Sequence, residues 1–184
     1  MLEECEDACE RRKELLDAQL AKLKGIDSFF DLTSTDLDGN PYPFSQLKGK
    51  VTVIVNVASF CGFTEASYRG LVELWSTVDR DAVRILAFPC NQFEEQEPGT
   101  AEEIQDFATS KGVEFQMMHK IDVNGPDTDP VYVYLKHQTT VPTIDWNFGT
   151  YFLVSPEGVV AEYTGVAPHH LIPFIYELMG KEEL

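Results

Sequence analysis

The run Val51-Thr52-Val53-Ile54-Val55-Asn56-Val57 is rich in β-branched residues and has the length of a buried parallel strand. After a short gap, Tyr68, Leu71, Val72, Leu74 and Trp75 recur at helical spacing, which predicts an amphipathic helix opening at Thr64 or Glu65 and running to about residue 78. A second strand follows at Val83-Arg84-Ile85-Leu86-Ala87-Phe88. A right-handed crossover of this length sets the two strands parallel in one sheet. Further on, Thr100 reads as an N-cap with Glu103 completing a capping box, so a helix is expected over residues 101–110. Pro130 to His137 reads as a short helix, and Pro168 to Met179 as the last one. Tyr151 to Ser155 and Val159 to Tyr163 flank Pro156-Glu157-Gly158, a hairpin signal.

The amino-terminal part has a different pattern. Leu15, Leu16, Leu20 and Leu23 form a stripe among charged residues, predicting a helix over residues 3–24 that Gly25 stops. Phe29 to Thr35 and Tyr42 to Phe44 are expected to form a small hairpin around Asp38-Gly39-Asn40-Pro41. The economical reading is one α/β domain, residues 26–184, preceded by a helical extension, residues 1–25.

Composition narrows the partners. The 184 residues suffice for one substantial core, with 43% hydrophobic and 24% charged positions. A formal net charge of −17, from 31 acidic and 14 basic residues, argues against nucleic acid and anionic membranes. It also makes an anionic substrate such as glutathione less welcome, unless a local basic patch exists. No apolar run is long enough to span a bilayer. Cys5, Cys9, Cys61 and Cys90 and the four histidines lack zinc-site spacing, so neither metal nor cofactor is expected.

Cys61 is the position where chemistry is expected. It falls just past the first strand and at the mouth of the following helix, over unpaired backbone N–H groups and the positive end of the helix dipole. Both favour thiolate over thiol and hence reactivity. A dithiol oxidoreductase would have a second cysteine at position 64, but the chain reads Cys61-Gly62-Phe63-Thr64. Exchange within that motif is therefore impossible, and a lone thiolate suits attack on something other than a disulfide. Cys90 follows the neighbouring strand, so it emerges at the same carboxyl edge of the sheet.

Several blocks agree on a relationship. Asn56-Val57-Ala58-Ser59-Phe60-Cys61-Gly62, Leu86-Ala87-Phe88-Pro89-Cys90-Asn91-Gln92-Phe93, Gln96-Glu97-Pro98-Gly99, Lys120-Ile121-Asp122-Val123-Asn124-Gly125 and Trp146-Asn147-Phe148 resemble, in order, the motifs of the glutathione peroxidase family. The resemblance is to the cysteine-containing kind and is strongest to the branch resident in the endoplasmic reticulum. It covers roughly residues 26–180 and implies a thioredoxin-like fold, a central mixed sheet flanked by helices. Cys61 would be the peroxidatic residue, with Gln96, Trp146 and Asn147 completing the family's tetrad. Indole and amide N–H groups are donors suited to stabilising S⁻ and the oxygen that departs from a peroxide.

The chain departs from the family pattern in three places. The family's most reactive members have selenocysteine where this chain has Cys61. Many thiol-dependent members resolve through a cysteine in the helix after Pro98-Gly99, and Phe107-Ala108-Thr109-Ser110 contains none. The segment between Lys136 and Trp146 is short, which favours a monomer. The expected activity is reduction of hydrogen peroxide or small organic hydroperoxides. Cys90 is the candidate to resolve the Cys61 sulfenic acid, and a protein disulfide isomerase, a thioredoxin or glutathione is the expected reductant. The alternative is a peroxide sensor that oxidises folding enzymes with little turnover of its own. Lys181-Glu182-Glu183-Leu184 resembles an endoplasmic-reticulum retention signal, although Leu2-Glu3-Glu4 is unlike a signal peptide's start. The lumen is the expected compartment, with the cytoplasm as the alternative.

Overall fold

A computed structural model describes residues 2–180, with side chains from residue 9 onward. The Cys5 thiol and the Lys181–Leu184 address lie outside the described residues. The main sheet has five strands in the order β5-β4-β3-β6-β7: β3 is Val51–Val57, β4 Val83–Pro89, β5 Gln116–Met117, β6 Thr150–Val154 and β7 Val160–Thr164. β3 pairs parallel with β4, as expected, with Val51 opposite Val83, and β4 pairs parallel with β5. β6 returns antiparallel beside β3, and β7 closes the hairpin. All seven residues of β3 are buried, as befits the central strand of a sheet covered on both faces.

Alternation along the strands divides the core in two. Val51, Val53, Val55 and Val57 of β3 and Val83, Ile85 and Ala87 of β4 pack with Tyr68, Leu71 and Leu74 of α2 (Thr64–Thr77). Ile104 of α3 (Ala101–Ser110) and Ile175 of α5 (Ile172–Leu178) join them on that face. Ile54, Leu86 and Phe88 turn the other way, toward Tyr132 and Leu135 of α4 (Pro130–Gln138) and an aromatic group around Phe29 and Phe44. Gly70 lets α2 approach the Pro168 turn closely, since a Cβ there would lie 3.0 Å from the proline Cγ.

Helix α1 spans Leu2–Ala21 and is followed by turns to Gly25 rather than three further helical residues. It is tied to the body at its end: Gln19 Nε2 donates to the Gly125 carbonyl at 2.8 Å, and Lys22 Nζ donates to the carbonyls of Pro126 and Thr128. The first hairpin is shorter than expected. Only β1 (Thr33–Thr35) and β2 (Pro41–Pro43) pair. Phe29–Asp31 is a single 3-10 turn because the Asp31 carboxylate caps the Ser28 N–H, which draws the backbone out of a strand. The last helix is likewise split, into a 3-10 turn at Pro168–Leu171 and then α5, because Pro173 lacks the N–H a continuous helix would need. The helix over residues 101–110 starts on the expected box, with Thr100 Oγ1 accepting from Glu103 N–H and Glu103 Oε2 from Thr100 N–H.

Candidate active site

The carboxyl ends of β3 and β4 and the amino end of β6 meet at one edge of the sheet, and Cys61 lies in the turn leaving β3 there. Its side chain is 7% exposed, between Phe60 and Phe63, which are 70% and 60% exposed. Among the described residues, the hydrogen bond that reaches the sulfur comes from the Phe63 backbone N–H at 3.4 Å. That N–H belongs to the N-cap of α2, so it is one of the donors a helix start leaves unpaired. Thr64 has a structural part. Its Oγ1 accepts the Cys61 N–H at 3.0 Å and donates to the Ala58 carbonyl at 2.7 Å, clamping the turn shut.

Of the residues expected to accompany Cys61, Gln96 and Asn147 are joined by a hydrogen bond. Asn147 Nδ2 donates to Gln96 Oε1 at 3.5 Å, and Gln96 Nε2 donates to Glu94 Oε2 at 3.3 Å. The Gln96 carbonyl accepts the Phe60 N–H at 3.0 Å, which fastens the 94–97 loop to the turn that holds Cys61. Trp146 stacks obliquely on Phe93, with ring centres 5.7 Å apart. The amides of Gln96 and Asn147 thus bond in series rather than both bonding the sulfur. Each amide nitrogen has a second hydrogen, which remains for a reacting oxygen.

Two residues not foreseen from sequence shape this edge. Asn56, the one amide in β3, is fully buried and donates to Asn147 Oδ1 at 3.1 Å and to the Trp146 carbonyl at 3.3 Å. An amide inside a β-branched run was the signal that could have found it. Phe148 adopts a left-handed backbone, φ 60°, unusual for an aromatic residue, and its N–H donates to the Asn56 carbonyl. That kink presses Asn147 against Asn56.

Glu97 is also fully buried, with Ser59 beside its carboxyl group. Burial raises its pKa, and the Ser59 hydroxyl and the Lys120 ammonium pull it only partly back. Lys120 Nζ pins the same loop through the carbonyls of Glu97 and Gly99. Beside Glu97 a cavity of about 400 Å³ opens between Ser59, Phe60, Ile104 and Phe107.

Cys90 is close in the backbone but separated by side-chain direction. Its N–H donates to the Val57 carbonyl at 2.9 Å, yet its thiol packs in the core on the α4 face, whereas Cys61 packs on the α2 face. Cys90 is fully buried, and burial pushes its thiol pKa up to about 11. The structure brings Cys61, Gln96, Trp146 and Asn147 to one edge and sends the Cys90 thiol into the core opposite the one that holds Cys61. Among the described residues, no cluster of three or more His, Cys, Asp or Glu side chains could hold a metal ion.

A glutathione peroxidase family model matches residues 29–136, more than half of the chain. The glutathione peroxidase-like peroxiredoxin gpx1 of Schizosaccharomyces pombe is 49% identical over 149 residues, covering 78% of this chain and 93% of that one. The chain belongs to the glutathione peroxidase family. The glutathione peroxidase-like peroxiredoxin HYR1 of Saccharomyces cerevisiae is 46% identical over 165 residues, 86% of this chain and all of that one. The crystal structure of T. cruzi GPX1 superposes with a TM-score of 0.68 at 31% identity, over 86% of this chain and all of that one. The fold is thioredoxin-like, and this glutathione peroxidase family member is a peroxidase. Among the described residues, no helix is long and apolar enough to cross a membrane.

Proposed function

We propose that this protein reduces hydrogen peroxide or small organic hydroperoxides at Cys61 and is recharged by a protein dithiol. The Cys61 thiolate attacks the distal oxygen, the O–O bond breaks, and the departing alkoxide or hydroxide takes up a proton. Sulfur is thereby oxidised by two electrons to the sulfenic acid as the peroxide is reduced. One thiol of the reductant then displaces water to give a mixed disulfide, and its second thiol releases Cys61. The observation that carries this reading is the Phe63 N–H on the Cys61 sulfur, beside the Asn147–Gln96 pair.

The direction of the Cys90 thiol favours an external resolving thiol over Cys90. Net charge of −17, with Glu94 and Glu103 near the Cys61 turn, favours a protein dithiol over anionic glutathione. A protein disulfide isomerase is the proposed reductant and the endoplasmic-reticulum lumen the proposed compartment, on the Lys181-Glu182-Glu183-Leu184 ending. Peroxide consumption should vanish in Cys61→Ser and be faster with a protein disulfide isomerase than with glutathione. Activity persisting in Cys61→Ser would refute the assignment of the thiol. Stoichiometric oxidation without turnover on any dithiol would instead mark a sensor. A secreted reporter bearing residues 176–184 that leaves the cell as fast as its untagged control would refute the compartment.

A further inference from the structure

Taking Cys61 as the peroxide-attacking thiol, we propose that Asn56 and Glu94 are positioning residues that set, from its two ends, the orientation of the Asn147 and Gln96 amides. Asparagine and glutamine side chains present oxygen on one side and nitrogen on the other, and a flip exchanges a donor for an acceptor. At this edge the choice is forced. The Trp146 backbone carbonyl can only accept, so Asn56 must turn its NH₂ group toward it. The same nitrogen faces Asn147, which must therefore present Oδ1 and turn its own NH₂ outward. Gln96 then presents Oε1 to Asn147 and Nε2 to Glu94, whose carboxylate oxygen accepts. The order is Asn56 to Asn147 to Gln96 to Glu94, every amide donating in the same direction. Each free N–H of Asn147 and Gln96 is then on the nitrogen side, where charge developing on a departing oxygen could use it.

Two features show that both ends are held at a cost to the fold. Asn56 is fully buried in a β-branched strand, and its Oδ1 has no hydrogen-bond partner among the described residues, so valine or isoleucine would suit the strand better. Glu94 occupies the left-handed region at φ 51°, followed by Glu95 at φ 53°, a conformation that glycine adopts without strain. A glutamate in that conformation delivers a carboxylate to Gln96 that glycine could not.

The test is the single-turnover rate of Cys61 oxidation by hydrogen peroxide, followed as dimedone-trapped sulfenic acid by mass spectrometry. Glu94→Gly should slow it roughly tenfold, the effect of losing one charge-assisted hydrogen bond. The same variant should melt higher than the parent, because the strain at φ 51° is relieved. Glu94→Gln, which still offers an acceptor, should recover most of the rate. In a Gln96→Ala background Glu94→Gly should change nothing further, since its effect runs through Gln96. Asn56→Asp, which replaces the inner donor by an acceptor, should slow oxidation to a similar degree. If it does not fold, Asn56→Thr suits the strand and is too short to reach Asn147. Glu94→Gly oxidising at the parent rate, or slowing Gln96→Ala by the same factor as the parent, would overturn the outer end. A parent rate in whichever Asn56 variant folds would overturn the inner end. Gln96→Ala at the parent rate would instead remove Gln96 from the peroxide reaction, and the proposed catalytic role of the tetrad with it.

Discussion

Cys61 and Cys90 lie at the same edge of the sheet but turn into opposite cores. Cys61 packs with Tyr68 and Leu71 beneath α2, and Cys90 with Phe88 and Tyr132 beneath α4. A disulfide needs Cα atoms within about 7 Å and Cβ vectors that face each other. The two thiols pack in cores on opposite faces of the sheet, so pairing would require one turn to rearrange.

The two thiols should therefore differ widely in reactivity. With its pKa raised to about 11 by burial, Cys90 is all but fully protonated at neutral pH, and no solvent reaches it. Brief treatment with iodoacetamide at pH 8 followed by peptide mapping should label Cys61 and leave Cys90 unmodified. Cys90→Ala should turn over with a protein dithiol at the parent rate. Loss of turnover in that variant, with the fold intact, would assign resolution to Cys90.

Glu97 makes a pH-dependent contribution to stability. Burial raises its folded pKa above that of the unfolded chain, so the folded state holds the proton more tightly. Its favourable contribution is full below the ordinary glutamate pKa and is lost as pH rises through the raised folded value. Glu97→Gln keeps the shape without the ionisable proton. It should melt above the parent at neutral pH and show a flatter dependence of melting temperature on pH across the acid range.

Thr64 should matter to Cys61 through position. Thr64→Val keeps the volume but leaves the Cys61 N–H and the Ala58 carbonyl without the hydroxyl that joins them. Each buried polar group left unpaired costs about 1–3 kcal/mol. The variant should melt well below the parent and oxidise more slowly at Cys61, measurable by thermal unfolding and by dimedone trapping.

Helix α1 should serve stability rather than chemistry, since its ties through Gln19 and Lys22 reach the 125–128 turn and not the Cys61 edge. Removal of residues 2–24 should lower the melting temperature and leave the rate of peroxide attack unchanged. A collapsed rate with the circular dichroism spectrum preserved would contradict this.

The strands β3 and β4, their parallel pairing, the α2 stripe and the Thr100–Glu103 box all follow from spacing along the chain. Hydrophobic periodicity and helix capping act between residues a few positions apart, so local sequence suffices to specify them. Cys61 at a helix mouth is legible for the same reason. The short strand β5 was not foreseen, because two residues are too few for a period. Only the assembled sheet decides which way Cys90 faces, since that depends on the strand alternation that sends Phe88 and Cys90 away from Ala87. The orientation of the Gln96 and Asn147 amides lies equally beyond local pattern. It depends on Asn56, Glu94 and the Trp146 carbonyl, which meet only where β3, the 94–97 loop and the start of β6 converge. Hydrogen bonds of that kind are set by which donor meets which acceptor across distant segments, and no spacing along the chain encodes that.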